Sequence, residues 1–375
     1  MLLGSSTEAT KKFEIQPLDG SALPEVASFL HRWHAGSSTP HPAREDPLST
    51  AVWLQWLRWL LVENPLATAA PHHGLCIRNA SGVITGFLLS FPGAFLAGDQ
   101  RLLGLGSGSF FVEPQARTLG LYLFKRYLNS PGYSFFFSTT CNANSGAIWE
   151  TLGACAVPNS DTEHILPLKL GVMLPEFLAG KSSSALAAGI ARVVGRCVDT
   201  VVRLLARRPA DLSVEPCRDW EKLAELFRRH RSAHWITTDR SAGFLQWRYG
   251  PRSHNHPFDI CVFRDTRGNE GWFALGSIIR EFKGQIRGCV LLDAVWPRGT
   301  MSFRAILPAI LHRVASKADA IFFQPRLGLD CGEFGRWTIP CRFEGPKVYA
   351  ITRKDAAPLA VPALDLVPAD GDGFF

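Results

Sequence analysis

The chain has 375 residues, 46% of them apolar, and a formal net charge of +7 at pH 7, which suits a globular protein with two domains and an anionic partner. It contains no apolar run of about eighteen residues and no apolar signal sequence at its start, which argues against a membrane span and against secretion. The nine cysteines lack metal-binding spacing and the basic residues form no nucleic-acid-reading motif, so we expect a cytoplasmic protein with reduced thiols, no metal and no nucleic acid.

The first strongly patterned segment, VWLQWLRWLL, predicts a helix. It carries Trp53, Trp56 and Trp59. Taken singly, each is typical of a core aromatic. Together they favour contact with a lipid or a lipid-like chain.

The stretch from Gly104 to Gly153 predicts a strand, a loop, a helix, a second strand and a polar elbow. Its successive segments read GLGSGSFFVEP, QARTLG, LYLFKRYLNS, GYSFFFSTT and CNANSGAIWETLG. The loop after Pro114 contains Arg117 and Gly120 and leads directly into an amphipathic helix. Because the first N–H groups of a helix have no partner within it, this turn predicts a phosphate site.

At these residues the chain resembles the GNAT superfamily of acyl-CoA-dependent N-acyltransferases. That family has the loop Gln/Arg-x-x-Gly-x-Gly/Ala after a strand ending in Val-x-Pro, and here Val112-Glu113-Pro114 precedes Arg117-x-x-Gly120. Asn144 begins NSGAIWETLG, which is similar to the second motif of the family. Two positions depart from the family pattern: Tyr122 replaces the last Gly/Ala, and Trp149 replaces a tyrosine that often acts as a general acid.

The resemblance implies an acyl-CoA or acyl carrier protein as acyl donor. It assigns the pyrophosphate to the backbone amides of Arg117, Thr118, Leu119, Gly120, Leu121 and Tyr122. It further implies that the strand end at Phe111 and Val112 presents an N–H to the thioester oxygen, where negative charge develops, and that Asn144 lines the pantetheine arm.

Five phenylalanines lie on the two predicted strands of this block, and large apolar side chains are suited to a long acyl chain. They are Phe110, Phe111, Phe135, Phe136 and Phe137. Because strand side chains alternate, at least half of them should face the domain core. Their density nevertheless favours a long acyl donor or a lipophilic acceptor over acetylation of a soluble metabolite.

Residues 182–208 have clean helical periodicity, with valines and leucines on one face and arginines on the other. This pattern is typical of a helix in a membrane interface, and equally of a helix packed across two domains. The protein is accordingly expected to be either fully cytoplasmic or peripheral at the inner face of the cytoplasmic membrane.

The sequence also indicates an internal repeat with a period of about 190 residues. Leu54-Gln55-Trp56 recurs as Leu245-Gln246-Trp247, and Val112-Glu113-Pro114 has a counterpart in Val295-Trp296-Pro297. We therefore predict an α/β (α+β) protein with tandem GNAT-like domains, each a mixed, mostly antiparallel sheet flanked by helices. The predicted boundaries are 1–172 for the donor-binding domain, 173–212 for a helical linker, 213–357 for a second domain without a phosphate loop, and 358–375 for a flexible tail.

Three side chains are candidates for the general base that removes a proton from the amine. Glu113 adjoins the expected thioester site, Asp293 is a single carboxylate within an apolar strand at the position aligned with Phe110, and His164 lies on a strand near the expected acceptor. An exposed carboxylate, an ion-paired aspartate and an ordinary core histidine are the alternatives, and water can also relay the proton.

These features predict an N-acyltransferase that moves an acyl group, preferably a long fatty acyl group, to a primary amine. A membrane-associated lipid amine such as a sphingoid base is the favoured acceptor, as in the bacterial ceramide synthases that the pattern resembles. The alternatives are an acetyl- or aminoacyltransferase acting on an amino sugar or a cell-wall precursor, and a non-catalytic binding module.

Overall fold

The computed structural model describes residues 13–35, 49–173, 193–197, 199–200, 211–253, 257–281, 285–324, 338–354, 356, 359–366 and 370. The chain divides into two compact units. The first comprises Met1–Pro158, Ala233–Asp239 and Glu344–Gly373, and the second comprises Asn159–Ser232, Arg240–Phe343 and Phe374–Phe375.

The elements follow one another along the chain in two similar series. The first series contains β1 (Phe13–Pro17), α1 (Leu23–Ala35), α2 (Thr50–Leu57), β2 (Gly74–Asn79), β3 (Ile84–Ala97), β4 (Gln100–Val112), α3 (Gly120–Tyr127), β5 (Phe135–Ser138), α4 (Ala143–Thr151), β6 (Cys155–Ala156) and β7 (Thr162–Pro167). The second contains β8 (Leu212–Pro216), α5 (Trp220–His230), β9 (Ile236–Thr238), α6 (Ala242–Tyr249), β10 (Phe258–Asp265), β11 (Glu270–Glu281), β12 (Gln285–Val295), α7 (Phe303–Val314), β13 (Ala320–Phe323), β14 (Ile339–Arg342), β15 (Tyr349–Thr352) and β16 (Leu364–Asp365).

Each unit is built on one mixed sheet with the same pattern of strand directions. The first sheet runs β1-β2-β3-β4-β5-β15-β6, with β9 joined to β3 and β16 to β9. The second runs β8-β10-β11-β12-β13-β7-β14. Along each path all neighbours are antiparallel except one central pair, β4 with β5 and β12 with β13. Mostly antiparallel sheets with flanking helices are the architecture that the sequence predicts for each half.

The two Leu-Gln-Trp segments that the sequence aligns lie on matching local structures. Leu54-Gln55-Trp56 is on α2 and Leu245-Gln246-Trp247 is on α6, and each helix begins after a serine, Ser49 or Ser241, whose hydroxyl accepts a backbone N–H of the first turn. Serine is a favoured helix cap because it satisfies an N–H that has no partner within the helix. The local sequence therefore fixes the start of both helices in the same way.

Each unit contains one strand that the predicted boundaries assign to the other domain. The predicted first domain, 1–172, contains Thr162–Pro167, but this strand pairs with β13 and β14 in the second sheet. Conversely, Tyr349–Thr352 pairs with β5 and β6 in the first sheet. Such pairing between distant segments leaves no signal in local hydrophobic periodicity.

The tail also differs from the flexible segment predicted for 358–375. Leu364 and Asp365 pair with Ile236 and Thr237 on β9, and Leu366 is buried with a side-chain exposure of 3%. Apolar side chains among residues 359–366 therefore dock this part of the tail to the first sheet.

Most of the amphipathic segment 182–208 lies outside the described residues, which include only 193–197 and 199–200 of it. In this short piece Val193 and Val194 are exposed, whereas Asp199 is buried and accepts the backbone N–H of Gly171. Among the helices that the structure describes, none has the length and apolar character required to cross a membrane.

Candidate active site

The first sheet opens between two of its central strands. The parallel strands β4 and β5 pair only from Gly104 opposite Phe135 to Ser107 opposite Ser138. There β5 ends, whereas β4 continues to Val112 and keeps β3 as its other neighbour. The last five residues of β4 thus lack a partner from β5, and we call the opening beside them the fork.

A β-bulge lies at the start of the fork. Leu88 of β3 is opposite Phe110, whereas Leu89 is opposite Gly108, so Ser109 is the extra residue on β4. A bulge bends its strand and changes the direction of the groups that follow it. The bulge thus lies directly after the last residue of β4 that pairs with β5.

The backbone N–H groups of β4 divide between β3 and the fork. The N–H of Glu113 donates to the carbonyl of Thr85 at 2.9 Å. Because successive N–H groups of a strand point in opposite directions, that of Phe111 also points towards β3, and those of Val112 and Phe110 point into the fork. Of the two residues predicted to meet the thioester oxygen, the alternation therefore favours Val112 over Phe111.

The predicted phosphate loop is a short 3₁₀ helix, Pro114–Leu119, which runs directly into α3. Within it the N–H of Ala116 donates to Glu113, and the N–H of Gly120 donates to the carbonyl of Arg117. Amides of this region, those of Ala116 and Gly120 among them, are therefore already used inside the turn. The sequence predicts a loop here because it contains Gly120. Pro114, however, favours the first position of a helix, and the 3₁₀ helix begins there.

The residues assigned to the phosphate differ in exposure. Arg117, Thr118, Leu121 and Tyr122 are exposed, the last to 61%, whereas Leu119 is half-buried and Gly120 is buried. A Cβ atom added to Gly120 would lie 3.1 Å from Cζ of Phe110. Gly120 thus allows α3 to lie close against β4.

Helix α4 begins two residues earlier than the resemblance suggests. Its cap is Asn142, whose side chain accepts the N–H groups of Asn144 and Ser145, while the Ser145 hydroxyl accepts the N–H of Asn142. Asn144 itself is exposed on the first turn. Asn142 therefore has the capping role that the sequence pattern suggests for Asn144.

Trp149, which replaces the tyrosine of the family motif, is a core residue. Its ring is fully buried and lies against Phe124 and Tyr127, with ring centroids 5.6 and 6.2 Å apart. The indole thus fills space between α3 and α4.

The phenylalanines of β5 do not line an open acyl channel. Phe135, Phe136 and Phe137 are each exposed by 1% or less and pack against neighbouring rings, such as Phe95 on Phe135 at 4.8 Å. Phe110 packs on Phe124 at 4.8 Å. The aromatic density that favours a long acyl chain in the sequence is therefore largely used in internal packing.

The tryptophans of the second helical segment are core residues as well. Trp53, Trp56 and Trp59 are exposed by 6%, 1% and 1%. Because these side chains are buried, they do not form a surface that could contact a lipid.

Phe111 belongs to an aromatic cluster with α1 that the sequence analysis misses. Its ring lies 5.4 Å from Trp33 and 6.0 Å from His34, and His34 stacks on Trp53 at 5.0 Å. Trp33 is 40% exposed. No motif marks these α1 residues, because their position beside β4 depends on how the helix packs on the sheet.

Glu113 is the one base candidate in the same unit as the fork. It follows the last residue of β4, is half-buried, and its carboxylate accepts a hydrogen bond from the side chain of Gln115. Asp293 and His164 belong to the second unit.

Asp293 forms a buried ion pair. Its carboxylate is 2.7 Å from Nε of Arg240, and the two side chains are 3% and 2% exposed. The guanidinium of Arg240 lies over the ring of Phe227 on α5. The sequence leaves two roles open for Asp293, a general base and an ion-paired structural residue, and the structure shows the ion pair.

Asp293 and Phe110, which the sequence aligns, lie on opposite faces of their sheets. Phe110 packs on α3, which follows β4, whereas Asp293 faces Arg240 on the side of α5, the counterpart of α1. The residue of β4 on the matching face is Phe111, next to α1. A slip of one residue moves a strand side chain to the opposite face of the sheet.

His164 lies within the second sheet. Its ring stacks on Phe323 at 5.5 Å, its Nδ1 is 3.4 Å from the Thr338 hydroxyl, and burial lowers the pKa of the imidazole. Among the described residues, no group of three or more His, Cys, Asp or Glu side chains is placed to hold a metal ion.

No protein-family model matches the sequence, and no curated protein matches it. Solved structures match over most of the chain. A probable N-acyltransferase of unknown function from Enterococcus faecalis V583 shares 9% identity over 91% of this chain and 72% of its own, with a TM-score of 0.55. A GCN5-related N-acetyltransferase from Anabaena variabilis shares 10% over 92% and 73%, with a TM-score of 0.54.

Saccharomyces cerevisiae N-myristoyltransferase, solved with bound myristoyl-CoA and inhibitors, is similar as well. It shares 13% identity over 99% of this chain and 86% of its own, with a TM-score of 0.56. These likenesses show the fold. The chain has the GNAT fold that the motifs between Gly104 and Gly153 predict.

Proposed function

We propose that this protein is an N-acyltransferase that transfers an acyl group from acyl-CoA to a primary amine. The observation that carries the proposal is the fork, where the end of β4 lacks a partner from β5 and the alternation along the strand directs the Val112 N–H towards the gap between β4 and β5. The fold supports it, because the solved structures of similar fold include N-acetyl- and N-myristoyltransferases.

In the proposed reaction the amine nitrogen attacks the thioester carbonyl carbon and a C–N bond forms. The carbonyl oxygen becomes negatively charged and accepts the Val112 N–H. A donor already aimed at that oxygen stabilises the charge without reorganisation. The C–S bond then breaks, the CoA thiolate leaves, and the amine proton passes to Glu113 directly or through water.

The phosphates of the donor are proposed to bind at the start of α3. The amides of Leu121 and Tyr122 lie in its first turn, next to the exposed guanidinium of Arg117. The positive end of a helix and a nearby arginine both favour a phosphate. A pyrophosphate bound deeper in the turn would have to replace the bond from Gly120 to Arg117.

We further propose an apolar, fatty acyl group as the group transferred. Phe111 and Trp33 supply a partly exposed aromatic surface beside the end of β4, and the yeast N-myristoyltransferase of similar fold binds myristoyl-CoA. A lipid amine is the acceptor that the segment 182–208 favours. The sequence resemblance and the positive net charge are the basis for two further proposals. These are a ceramide-synthase-like activity and an acyl carrier protein as an alternative donor.

The second unit is proposed to be a copy of the first that binds no donor. Its strand order supports duplication. After β12, Trp296 is buried against Phe303, and the Arg298 guanidinium lies 4.5 Å from the Trp296 ring centre. No Arg-x-x-Gly sequence follows Pro297, so the residues that would hold a pyrophosphate are missing.

The test is titration of the purified protein with CoA, acetyl-CoA and myristoyl-CoA by calorimetry, followed by thiol-release assays with a sphingoid base and an amino sugar. We expect saturable binding of all three and faster turnover of myristoyl-CoA with the lipid amine. Faster turnover of acetyl-CoA with the amino sugar would replace the fatty acyl proposal. A lack of binding by any CoA species would refute the transferase proposal itself.

Replacing Gly120 with leucine is expected to weaken acyl-CoA binding at least about tenfold. The added side chain would press on Phe110, and relief of this overpacking should shift the start of α3 and the amides proposed to bind the phosphates. Gly120→Ala needs only a small shift of Phe110 and should bind like the wild type. Gly299→Leu, at a position with no atom within 4 Å of an added Cβ, is the matched control. Wild-type affinity in Gly120→Leu would show that the α3 start does not hold the donor.

A further inference from the structure

The outer surface of α3 and of the turn before it is positively charged. Residues 114–149 include no aspartate or glutamate, whereas three cations lie among them, Arg117, Lys125 and Arg126. The structure describes this whole range, and all three cations are exposed in it. A cluster of exposed cations without carboxylates raises the local positive potential and attracts an anionic partner.

Two apolar side chains are exposed beside these cations. Leu121 is 39% exposed and Tyr122 is 61% exposed. Residues four positions apart are neighbours on the surface of a helix, so Leu121 adjoins Lys125 and Tyr122 adjoins Arg126. The Lys125 ammonium also lies 6.0 Å from the centre of the Tyr122 ring. We call these four residues together with Arg117 the α3 surface.

The cations of the α3 surface are not neutralised by carboxylates. Within the ranges that the structure describes, none of the three forms an ion pair, and the guanidinium of Arg126 donates instead to the backbone carbonyl of Ile15 at 2.8 Å. The arginines of α5 differ, since Arg228 and Arg229 both pair with Glu225 on the same helix. Positive charge is thus compensated within α5 and is not compensated in this way on α3.

An anionic membrane and an acidic protein are the two kinds of large partner that such a surface attracts. A helix that binds in a membrane interface presents an apolar face along its length. On α3, which has eight residues and is about 12 Å long, the exposed apolar residues are the adjacent pair Leu121 and Tyr122. Protein interfaces, in contrast, are enriched in tyrosine and arginine, which often contribute most of the binding energy. The α3 surface therefore fits an acidic protein better than a membrane.

We infer that the α3 surface docks an acidic acyl carrier protein, an inference that rests on the proposed function and concerns its alternative donor. In such a donor the acyl chain is attached to the protein through a phosphate-linked arm. The donor phosphates are proposed to bind at the start of α3, and the α3 surface continues from there along the exposed side of the helix. A carrier whose phosphate binds at this start therefore has its body over Tyr122 and Lys125. Tyr122, which replaces a glycine or alanine of the family loop, then provides an aromatic contact to the partner.

Calorimetry with the purified protein tests the docking. It measures the Kd of myristoyl-acyl carrier protein, of the apo carrier protein, which lacks the arm, and of myristoyl-CoA, which lacks the carrier. Lys125→Glu should weaken binding of both carrier forms about tenfold or more, because like charges then face each other at the interface. The Kd of myristoyl-CoA should change less than about threefold, since Lys125 lies beyond the amides proposed to hold its phosphates and salt screens an exposed charge.

Arg304→Glu is the matched control, because Arg304 is an exposed cation on α7, the helix of the second unit that corresponds to α3. This variant changes the net charge by the same amount and should bind all three ligands like the wild type. Binding of the carrier forms to the wild type should also weaken as the salt concentration rises, and this dependence should be smaller in Lys125→Glu.

If Lys125→Glu weakens binding of myristoyl-CoA as much as binding of myristoyl-acyl carrier protein, or weakens neither, the α3 surface does not dock the carrier. The same follows if the wild type binds myristoyl-CoA but no carrier form, and in each of these cases the transferase proposal stands. If the wild type binds neither myristoyl-CoA nor myristoyl-acyl carrier protein, both proposals fail. Sedimentation with phosphatidylglycerol vesicles tests the membrane as partner. Loss of vesicle binding in Lys125→Glu, with unchanged carrier binding, would assign the α3 surface to lipid instead.

Discussion

Replacing Val112 with proline is expected to lower kcat for acyl transfer about 100- to 1000-fold while the protein stays folded. Proline has no N–H, and loss of one donor to a developing oxyanion has an effect of about this size. The fold should tolerate the change because the Val112 N–H points into the fork. The ladder bond to β3 comes from the neighbouring Glu113, which donates to Thr85.

Val112→Ala is the control for the side chain, since it shortens the residue and keeps the N–H. It should retain most of the activity. Both variants are compared by thiol-release kinetics, with circular dichroism and thermal unfolding to verify the fold. The donor Kd of Val112→Pro should change much less than kcat, because the bond strengthens as charge develops on the oxygen. A proline variant with wild-type kcat would exclude Val112 as the oxyanion donor.

The sequence predicts the order of elements around this site well. The apolar strand ending at Val112, the helix after Gly120 and the strand FFFS are all present, and the GNAT fold follows from them. These features are local, since they depend on periodicity and on the residues that begin and end each element. The choice between Phe111 and Val112 is different, because it depends on the register of β4 with β3.

The incorrect predictions at the site have a common cause, which is contacts between elements that lie far apart in the sequence. The rings of Phe135, Phe136 and Phe137 read as an apolar lining, but Phe95, on another strand, packs against two of them. The sequence suggests a lone carboxylate at Asp293 because Arg240, with which it forms an ion pair, lies 53 residues away in the sequence. Neither neighbour is visible in a local window. The strand exchange between β7 and β15 is a further case, since each strand pairs with residues far away in the chain.

Replacing Asp293 with alanine is expected to destabilise the second unit by about 3–5 kcal/mol. The change removes the Asp293 carboxylate from the guanidinium of Arg240, which is 2% exposed. Removing one partner of a buried ion pair is strongly destabilising, whereas replacing both partners with apolar residues of similar volume is often close to neutral. Calorimetric thermal unfolding should therefore show a lower transition temperature for Asp293→Ala than for the double variant Arg240→Met with Asp293→Leu.

The double variant also separates a structural Asp293 from a catalytic one. Methionine supplies an apolar side chain that can pack on Phe227 in place of the guanidinium, so the unit should remain folded while no carboxylate is left at position 293. Because the ion pair engages Asp293 within its own unit, we expect the double variant to retain the wild-type kcat and its pH dependence. If instead its stability is preserved but kcat falls by a factor of about 100 or more, as loss of a general base would cause, then Asp293 removes the amine proton and Glu113 does not.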